Sequence, residues 1–280
     1  MHILIAGCGY IGHPLALSLI KQNHQVTGWV FSQASGQRLS ALGINTIAAD
    51  LTQPSSWLAH HGRYDVLVYC PSTRGGSAED YRQIYVEGLK LSVSALAPAG
   101  RLFYTSSTSV YAQGDGVWVD ETSPTEPEAE TSRLLLQAES VALAAEGTVL
   151  RLSAIYGPGR GVLLRRFLEG TPFAAGNPDR YLNQIHQADV VAAVNFFLQN
   201  PSAERGVYNL SDDQPSTHRE IYSWLAERLK KPLPAFSGET ALRKRGNNNR
   251  RISNLKFKTL GWSPIYPSYK EGYLDLLPKE

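Results

Sequence analysis

The sequence predicts an α/β protein: a doubly wound parallel sheet with a smaller C-terminal lobe. The chain opens on a short apolar run, residues 2–6, which stops at a Gly-x-Gly-x-x-Gly turn at residues 7–12. Short apolar runs then alternate with helical stretches, a pattern typical of a parallel sheet covered by helices on both faces. After about residue 155, loops rich in Gly and Pro loosen this alternation. We expect a core at 1–158, completed by about 185–215, and a lobe made of 159–184 and 216–280.

The opening run and turn justify the first strand and the first helix. Gly7 allows a tight turn, Gly9 lets the backbone approach a pyrophosphate, and Gly12 lets the helix pack closely on the strand. That helix, expected to reach residue 22, begins near Pro14, which a first helical turn tolerates, and its free N–H groups favour phosphate. The turn therefore predicts a Rossmann fold that binds a dinucleotide, and a purely structural glycine turn is the alternative. Two further expected cofactor contacts lie in the same loop, Tyr10 and Ile11.

The remaining elements follow from apolar periodicity and from chain breakers. Apolar runs predict strands at 25–30, 45–49, 66–70, 101–105, 148–153 and 206–210. Helical spacing of apolar residues predicts helices at 38–42, 78–97, 131–145, 189–198 and 216–229. Pro98-Ala-Gly100 ends the second of these helices, and Thr217 or Ser216 caps the last one, with Glu220 near the capping-box position. Ligands of such sheets bind at the carboxyl ends of the strands, so the loops there should line the site.

Composition and charge narrow the class of protein. The 280 residues carry 27 Lys and Arg against 25 Asp and Glu, and this net charge of +2 is too small and dispersed for a nucleic-acid binder. No stretch approaches the ~18 apolar residues that cross a bilayer, and the N-terminal run lacks a basic lead and a cleavage site, so we expect neither a membrane span nor a secretory leader. Cys8 and Cys70 supply neither a disulfide framework nor a metal cluster, so we expect buried thiols and no metal. A cytoplasmic enzyme or binding protein fits these features.

Motifs beyond the turn resemble the extended short-chain dehydrogenase/reductase family, which includes sugar-nucleotide epimerases and dehydratases. The similar segments are, in order, 104–111 (Tyr-Thr-Ser-Ser-Thr-Ser-Val-Tyr), 120–124 (Asp-Glu and a Pro), 151–160 (Arg-Leu-Ser-Ala-Ile-Tyr-Gly-Pro-Gly-Arg), 183–189 (Asn-x-Ile-His-x-x-Asp) and 206–212 (Gly-Val-Tyr-Asn-Leu-Ser-Asp). More narrowly, the chain resembles an NAD-dependent epimerase/dehydratase-like branch. The resemblance covers nearly the whole chain and implies a Rossmann fold, a nicotinamide cofactor and an oxidoreductase or epimerase.

One departure from the family bears directly on the chemistry. The resemblance implies catalysis by a Ser or Thr together with a Tyr-x-x-x-Lys pair on a helix, and Ser107 falls at the Ser/Thr position. Counting back from Glu139 puts Thr131 at the Tyr position and Leu135 at the Lys position. A Lys charge lowers the pKa of the Tyr phenol, whereas Thr131 is far too weakly acidic and Leu135 carries no charge. Losing a positioned acid–base group costs about 10²–10⁴-fold in rate, so hydride transfer of the family type should be impaired or depend on other groups.

Three further side chains are candidate site residues, and each has a packing alternative. Tyr111 follows closely after Ser107 and is the best substitute, the alternative being a ring packed at the strand end. Tyr85, in the helix predicted at 78–97, occupies a position where the family often has a polar residue facing the site, the alternative being core packing. His186 would either carry a proton or hold loops together.

The end of the second predicted strand bears on the identity of the cofactor. An acid there would bind the ribose hydroxyls of NAD, and a basic residue would accept the phosphate of NADP, but Val30 stands where the acid is expected. Ser32 and Arg38 are within reach of a 2′-phosphate, which slightly favours NADP, although a solvated helix charge is the alternative for Arg38. NAD and NADP therefore both stay open. Further expected cofactor contacts follow the other strands: Asp50, Leu51, Pro71, Ser72, Thr105 and Ser106.

Arginines in the predicted lobe are candidates to bind an anionic substrate, because guanidinium pairs with phosphate in a bidentate way. They are Arg160, Arg243, Arg245, Arg250 and Arg251. For Arg243 and Arg245 the alternative is that they form part of a solvated surface run. The resemblance alone implies a sugar nucleotide or a similar carbonyl or alcohol compound, contacted by Ser107, Tyr85, His186 and these arginines.

Two hypotheses for the function follow. The first is an NAD(P)-binding epimerase/dehydratase-like oxidoreductase that works by a non-standard mechanism. The second is a non-catalytic NAD(P)-binding protein that senses the state of the cofactor or binds a partner, and the missing Tyr and Lys favour it. The family often pairs through two helices, so a homodimer formed by the helices at 78–97 and 131–145 is a further expectation, with packing of those helices on the sheet as the alternative.

Overall fold

The structure, a computed structural model, describes residues 1–73, 75–171, 177–203, 205–236 and 249–277. Its strands are, in chain order, β1 (His2–Ala6), β2 (Gln25–Val30), β3 (Asn45–Ala48), β4 (Tyr64–Tyr69), β5 (Leu96–Ser107), β6 (Val117–Val119), β7 (Thr148–Leu152), β8 (Ala154–Tyr156), β9 (Tyr181–Leu182), β10 (Gln184–His186), β11 (Val207–Leu210), β12 (Ser216–Thr217) and β13 (Arg250–Ile252). Its helices are α1 (Gly12–Lys21), α2 (Gln33–Ser40), α3 (Pro54–Trp57), α4 (Ala78–Tyr81), α5 (Gly88–Val93), α6 (Glu130–Ala144), α7 (Val162–Leu168), α8 (Gln187–Gln199), α9 (His218–Leu229), α10 (Leu255–Thr259) and α11 (Tyr269–Leu276).

The described part of the chain forms a seven-stranded sheet with the strand order β11-β7-β5-β4-β1-β2-β3. The strands β3, β2, β1, β4 and β5 pair with one another in parallel. The chain runs outward from β1 to β2 and β3 and then returns to β4 on the other side of β1. The strand order therefore reverses between β1 and β4, where open α/β sheets bind ligands at the carboxyl ends of their strands. The predicted doubly wound Rossmann-like fold is confirmed.

Apolar side chains explain why β1 lies inside this sheet, between β4 and β2. Ile3, Leu4 and Ile5 are fully buried, as a strand covered by helices on both faces requires. α1 in turn buries Leu15 and Leu19. Each such side chain contributes about 1.5–3 kcal/mol when it leaves water, so the strand before the glycine turn is firmly held.

The start of α2 differs from the prediction because a local cap sets it. The helix begins at Gln33, ahead of the predicted start at residue 38. The Ser32 hydroxyl accepts a hydrogen bond from the Ser35 N–H, which satisfies a donor that the first helical turn leaves unpaired. The polar residues of this first turn carry no apolar periodicity, so the pattern alone placed the helix too late.

The predicted break at Pro98-Ala-Gly100 lies inside a strand. β5 begins already at Leu96, which pairs with Tyr64, and the next paired residue, Arg101, lies opposite Val66. Residues 97–100 therefore form a bulge within β5. The prediction that Pro98-Ala-Gly100 ends the helix was therefore wrong: α5 already ends at Val93, and β5 begins before the proline.

A π-helical turn, Arg82–Glu87, joins α4 to α5. The Tyr69 hydroxyl donates a hydrogen bond to the Ile84 carbonyl within this turn. A Cβ on Gly88 would lie 2.5 Å from that hydroxyl, so the glycine leaves room for the phenol. A side chain inserted into the helical ladder is a known cause of such irregularities.

The chain divides into two compact units. The first unit consists of Met1–Val110, Glu130–Arg151 and Ala193–Tyr208, and the second of Tyr111–Ala129, Leu152–Ala192 and Asn209–Glu280. Short strand pairs, β10 with β8, β12 with β9 and β13 with β6, lie outside the large sheet. The second unit has a buried apolar cluster made of Tyr156, Leu164, Phe167, Ile221, Tyr222, Leu225, Tyr269 and Tyr273.

The predicted capping box at the start of α9 is confirmed. The Thr217 hydroxyl accepts a hydrogen bond from the Glu220 N–H at 3.1 Å, and the Glu220 carboxylate accepts one from the Thr217 N–H at 2.7 Å. These reciprocal bonds satisfy two donors that the helix start would otherwise leave unpaired.

No helix in the described ranges combines the length and the apolar character needed to cross a membrane. Within the same ranges, His, Cys, Asp and Glu side chains form no group of three or more that could hold a metal ion.

Candidate active site

The turn between β1 and α1 requires glycine at two positions. Gly7 has a φ of +91°, and a Cβ there would collide with the backbone of Pro71. A Cβ on Gly12 would lie 2.8 Å from Ile5 Cγ2 and 2.9 Å from the Gly7 carbonyl oxygen. These close approaches hold α1 tightly against the end of the strand, as the sequence pattern predicts.

The space in front of Gly9, by contrast, is open. A Cβ on this residue would meet only the Gly7 carbonyl oxygen, at 3.9 Å. The open backbone lies beside the N-terminus of α1, where the partial positive charge of the helix favours an anion, although the His13 and Leu15 N–H groups already donate to the Gly9 and Ile11 carbonyls and Pro14 has none. In the same loop Ile11 is buried and Tyr10 is half-buried. The residues of the turn therefore fit the pyrophosphate of a dinucleotide.

The end of β2 presents no acidic side chain. Val30 is buried, and the next residue, Phe31, is 81% exposed. The Ser32 hydroxyl caps α2 and lies 3.0 Å from the Ser35 hydroxyl, while Arg38 is exposed on the same helix. The residues after β2 therefore offer hydroxyl and guanidinium groups and no carboxylate.

The loop after β3 is held from two sides by indole groups. Trp29 Nε1 donates to the Ala49 carbonyl at 2.8 Å, and Trp57 Nε1 donates to the Leu51 carbonyl at 2.9 Å. Asp50, between these carbonyls, is half-buried. Asp50 and Leu51 were predicted as cofactor contacts from the sequence, whereas the two tryptophans were not, because an indole in an apolar run carries no signal of its hydrogen-bond partner.

Cys70 and Pro71 follow β4 and lie against the glycine turn. Cys70 Sγ is 3.4 Å from the Gly7 carbonyl oxygen, and Ser72 is exposed beyond it. Burial raises the pKa of the Cys8 thiol to about 12 and also raises the pKa of the Cys70 thiol. Neither cysteine therefore forms a thiolate readily, which agrees with the expectation of structural thiols.

Hydroxyl groups at the end of β5 point alternately to opposite faces of the strand. Ser106 is buried and donates to Glu139 Oε1 at 2.6 Å. Thr105 donates to a carbonyl of β4 at 3.4 Å. Ser107 is half-buried, and its Oγ accepts a hydrogen bond from the Ser109 N–H at 3.2 Å, so the turn after β5 orients it.

Ser106 belongs to a buried charged network that the sequence analysis did not identify. Arg151 Nε donates to both carboxylate oxygens of Glu139, at 3.0 and 3.2 Å, and its terminal nitrogen donates at 2.7 Å. The two side chains are only 6% and 4% exposed, so each needs the other to remain charged in the interior. Arg151 inside an otherwise apolar strand is the signal that could have revealed this pair.

The first three turns of α6 carry Thr131, Leu135 and Glu139 on one face. Thr131 is half-buried and Leu135 is buried. Because these residues are a threonine and a leucine, neither a phenol nor a positive charge is present at these positions. Ser132 Oγ donates to Ser109 Oγ at 3.2 Å and links the start of α6 to the turn after β5. Ser109 and Ser132 were missed because their contact joins two residues far apart in the chain.

Tyr111 and Tyr85 lie in the interior. Tyr111 is 0% exposed, and its hydroxyl donates to Asn209 Oδ1 at 2.9 Å. The Asn209 N–H in turn donates to Glu121 Oε1 at 2.7 Å. Tyr85 lies in the π-helical turn with its ring centroid 5.0 Å from that of Tyr81. A proton donor must come within hydrogen-bond distance of its substrate, so this burial favours the packing alternative for both tyrosines.

His186 is buried in the second unit. Its Nδ1 accepts a hydrogen bond from the Ala188 N–H at 3.2 Å, and its ring centroid lies 4.0 Å from that of Tyr266. Burial lowers the pKa of His186, so the ring is neutral at pH 7. These contacts are those of a side chain that holds loops together.

The candidate arginines of the second unit have different environments. Arg250 is buried, and that burial lowers the pKa of its guanidinium to about 10. Arg251 lies between the rings of Trp118 and Tyr181, 5.0 and 5.2 Å from their centroids. Arg160 is exposed, at a tight turn. Arg243 and Arg245 lie outside the residues that the structure describes.

Comparison with known proteins agrees with this geometry. Residues 3–211 match the NAD dependent epimerase/dehydratase family. The protein YeeZ of Escherichia coli strain K12 is 31% identical over 244 residues, which cover 84% of this chain and 86% of that protein.

Solved structures share the fold over nearly the whole chain. One described as an NAD-dependent epimerase/dehydratase from Methylobacillus flagellatus has 34% identity and a TM-score of 0.79, covering 98% of this chain and 97% of that one. The UDP-glucuronic acid 4-epimerase from Bacillus cereus, solved with UDP-glucuronic acid and NAD, has 20% identity and a TM-score of 0.81, with coverage of 98% and 97%. The family match spans most of the residues that build the sheet and the glycine turn, and the chain belongs to the NAD-dependent epimerase/dehydratase family.

Proposed function

We propose that this chain binds a nicotinamide dinucleotide along the carboxyl edge of its sheet and acts as an epimerase/dehydratase-like oxidoreductase. The observation that carries the proposal is the open backbone at Gly9, beside the N-terminus of α1 and at the reversal of strand order. The open face of Gly9 and the positive end of the α1 dipole would hold the pyrophosphate. Asp50, Leu51, Pro71 and Ser72 would line the rest of the cofactor. The bound nicotinamide would supply hydride-transfer chemistry.

Ser107 is the group proposed to polarise the reacting oxygen of the substrate. Its Oγ accepts the Ser109 N–H, which leaves its own O–H to donate. Thr131 keeps a hydroxyl on α6 but is too weakly acidic to replace a phenol, and Leu135 brings no charge that would lower a neighbouring pKa. We therefore expect proton exchange to be about 10²–10⁴-fold slower than at a complete Ser-Tyr-Lys site.

The proposed substrate is a sugar nucleotide or a similar carbonyl or alcohol compound. The Bacillus cereus 4-epimerase, whose fold this chain shares, was solved with such a ligand. The exposed Arg160 is the candidate to pair with an anionic group of the substrate, because guanidinium matches phosphate geometry. Ser32 and Arg38 support a slight preference for NADP over NAD.

A non-catalytic role as an NAD(P)-binding sensor or partner-binding protein is the second candidate. The specific observation that favours it is the pair of residues Thr131 and Leu135, which leaves α6 without the usual proton donor and its activating charge. A protein of this kind would bind the cofactor normally but would transfer no hydride.

The test is a turnover assay of the purified protein with oxidised and reduced NAD and NADP. Sugar nucleotides, alcohols and ketones serve as substrates, and hydride transfer is followed by nicotinamide absorbance while epimerisation is followed by product analysis. Turnover that Ser107→Ala abolishes supports the enzyme. Cofactor binding without turnover on any substrate supports the sensor.

A double variant, Thr131→Tyr with Leu135→Lys, asks whether the substrate site has persisted. Activity gained by the double variant, and by neither single variant, would show that the site still accepts substrate and lacks only the acid and its charge. An inert double variant that still binds cofactor would show that the substrate site has diverged as well.

A further inference from the structure

We propose that Trp29 and Trp57 are positioning residues for the adenine end of the dinucleotide. They would act without touching the cofactor, by fixing the Asp50 loop, residues 49–52, through the carbonyls on either side of Asp50. This inference rests on the proposed cofactor site and deepens it, because it names what makes that site select adenine.

The two indoles form one rigid support. Trp29 comes from β2 and Trp57 from α3, both are almost completely buried, and their ring centroids lie 4.1 Å apart at an interplanar angle of 26°. Each directs its single N–H to the loop, at 2.8 Å to the Ala49 carbonyl and 2.9 Å to the Leu51 carbonyl. A stacked, buried pair loses little conformational entropy when it makes these bonds, since its rotamers are already set by packing.

One oxygen of the Asp50 carboxylate is held by hydrogen bonds, and the other is available to a ligand. Oδ1 accepts hydrogen bonds from the Thr52 N–H at 2.9 Å and from the Thr52 hydroxyl at 2.8 Å. Among the residues that the structure describes, Oδ2 has no hydrogen-bond partner. A carboxylate oxygen accepts, and the exocyclic amine is the donor that adenine presents. The loop is thus built to accept an amine and to repel a base that carries a carbonyl in its place.

The position of the loop suits this role. It follows β3, which is separated from β1 and its glycine turn by β2 alone. Neighbouring strands lie about 4.8 Å apart, so the loop is roughly 10 Å from the turn, a distance that a nucleoside extending from the pyrophosphate can span. The exposed ring of Phe31, at the end of β2, lies on the strand between them.

The experiment measures cofactor discrimination by calorimetric titration. Wild type, Trp29→Phe and Trp57→Phe are each titrated with the reduced adenine cofactor and with its hypoxanthine analogue, in which a carbonyl replaces the amine. We expect each variant to bind the adenine cofactor about five- to tenfold more weakly, the loss typical of one hydrogen bond. Binding of the hypoxanthine analogue should stay close to the wild-type value, so the ratio of the two dissociation constants falls.

Trp262→Phe is the matched control. Trp262 is also buried and stacked, with its ring centroid 4.6 Å from that of Phe257, but its indole N–H has no partner among the described residues. This substitution makes a similar cavity without removing a hydrogen bond, so it should leave both dissociation constants unchanged.

Thr52→Val supplies a second variant that opens no large cavity, should a tryptophan variant fail to fold. It removes the hydroxyl that holds Asp50 Oδ1 and should lower the same ratio. Variants that discriminate between adenine and hypoxanthine as the wild type does would overturn the inference alone. A wild type that binds neither reduced cofactor would overturn the proposed function, and the inference with it.

Discussion

Among single residues, Gly9 is a position where a substitution should weaken cofactor binding with little effect on stability. A Cβ on Gly9 would enter open space, so we expect Gly9→Ala to change the free energy of unfolding by no more than about 1 kcal/mol. The same methyl group would occupy the position that the pyrophosphate approaches, so dinucleotide affinity should fall by about tenfold or more. Denaturant unfolding and calorimetric titration of one preparation measure both quantities.

Gly114→Ala is the control for that substitution. A Cβ there would meet nothing within 4 Å, so the variant should keep both the stability and the affinity of the wild type. A Gly9→Ala protein that binds as tightly as Gly114→Ala would contradict the placement of the pyrophosphate.

Breaking the buried Glu139–Arg151 pair, unlike the substitution of Gly9, should lower the stability of the fold. Glu139→Ala would leave the Arg151 guanidinium buried without its counter-charge and Ser106 without its acceptor. We expect a loss of about 3–5 kcal/mol in the free energy of unfolding, measured with urea at pH 7. Glu87→Ala removes an exposed partner of Lys90, at 3.0 Å, and should change stability by less than about 1 kcal/mol. Equal effects of the two substitutions would show that the buried pair is not needed.

Single residues of the site were predictable only where a local motif marks them. The glycines and Ser107 stand in recognisable strings, so the sequence identifies them as candidates. Ser132, Trp29 and Arg151 act through partners 23, 20 and 12 residues away in the chain, and no local pattern encodes such a contact. The burial of Tyr111 is a tertiary property for the same reason.

At the scale of elements, periodicity located the long helices and the buried strands well. α6, with apolar residues on one face, was predicted to within one residue at each end. The predicted boundaries were wrong where a local interaction outweighs apolar periodicity. These interactions are the cap at Ser32, the bulge inside β5 and the phenol inserted beside Gly88. The strands β9 and β12, two residues each, are too short to carry any alternation.

Tyr69→Phe tests the cause of the π-helical turn. Without the hydroxyl, the Ile84 carbonyl loses a donor, and an unsatisfied acceptor costs about 1–3 kcal/mol. We expect faster amide hydrogen exchange across Arg82–Glu87, measured by mass spectrometry, while α1 exchanges as in the wild type. Tyr64→Phe, on the same strand, loses hydroxyl contacts with His60, at 3.4 Å, and with Thr27, neither of which lies in the π-helical turn, and should leave that segment protected. Unchanged exchange in Tyr69→Phe would mean that the turn does not depend on the phenol.

At the scale of the whole molecule, buried titratable groups make stability depend on pH in opposing ways. Burial lowers the pKa of His218 to about 4. As the pH falls from 6.5 towards 4, His218 is therefore protonated in the unfolded chain but stays neutral in the native state, and this lowers the free energy of unfolding. Burial raises the pKa of Asp189 to about 6, so protonation at low pH stabilises the native state instead. The His218 contribution is present above pH 6.5 and is lost below it.

His218→Gln isolates the histidine contribution. The wild type should lose up to about 3 kcal/mol through this one group between pH 7 and pH 4, and the variant should lack that loss. Urea unfolding at several pH values gives the slope for each protein. Parallel pH profiles for the two proteins would contradict the assignment.

The fold class and the family of the whole molecule could both be predicted from sequence, because each depends on features repeated along the chain. Alternating strands and helices predict a parallel sheet, and the ordered motifs predict the family. The substrate could not be predicted, since only the fold determines which candidate side chains, such as Arg160 and Arg250, are exposed or buried.

The central claim is that the glycine turn binds a nicotinamide dinucleotide, and a calorimetric titration of the wild-type protein with NADH and then NADPH tests it most directly. The account predicts micromolar binding of at least one of them, with NADPH favoured slightly by Ser32 and Arg38. Binding of neither would contradict it and would leave the turn between β1 and α1 with a purely structural role.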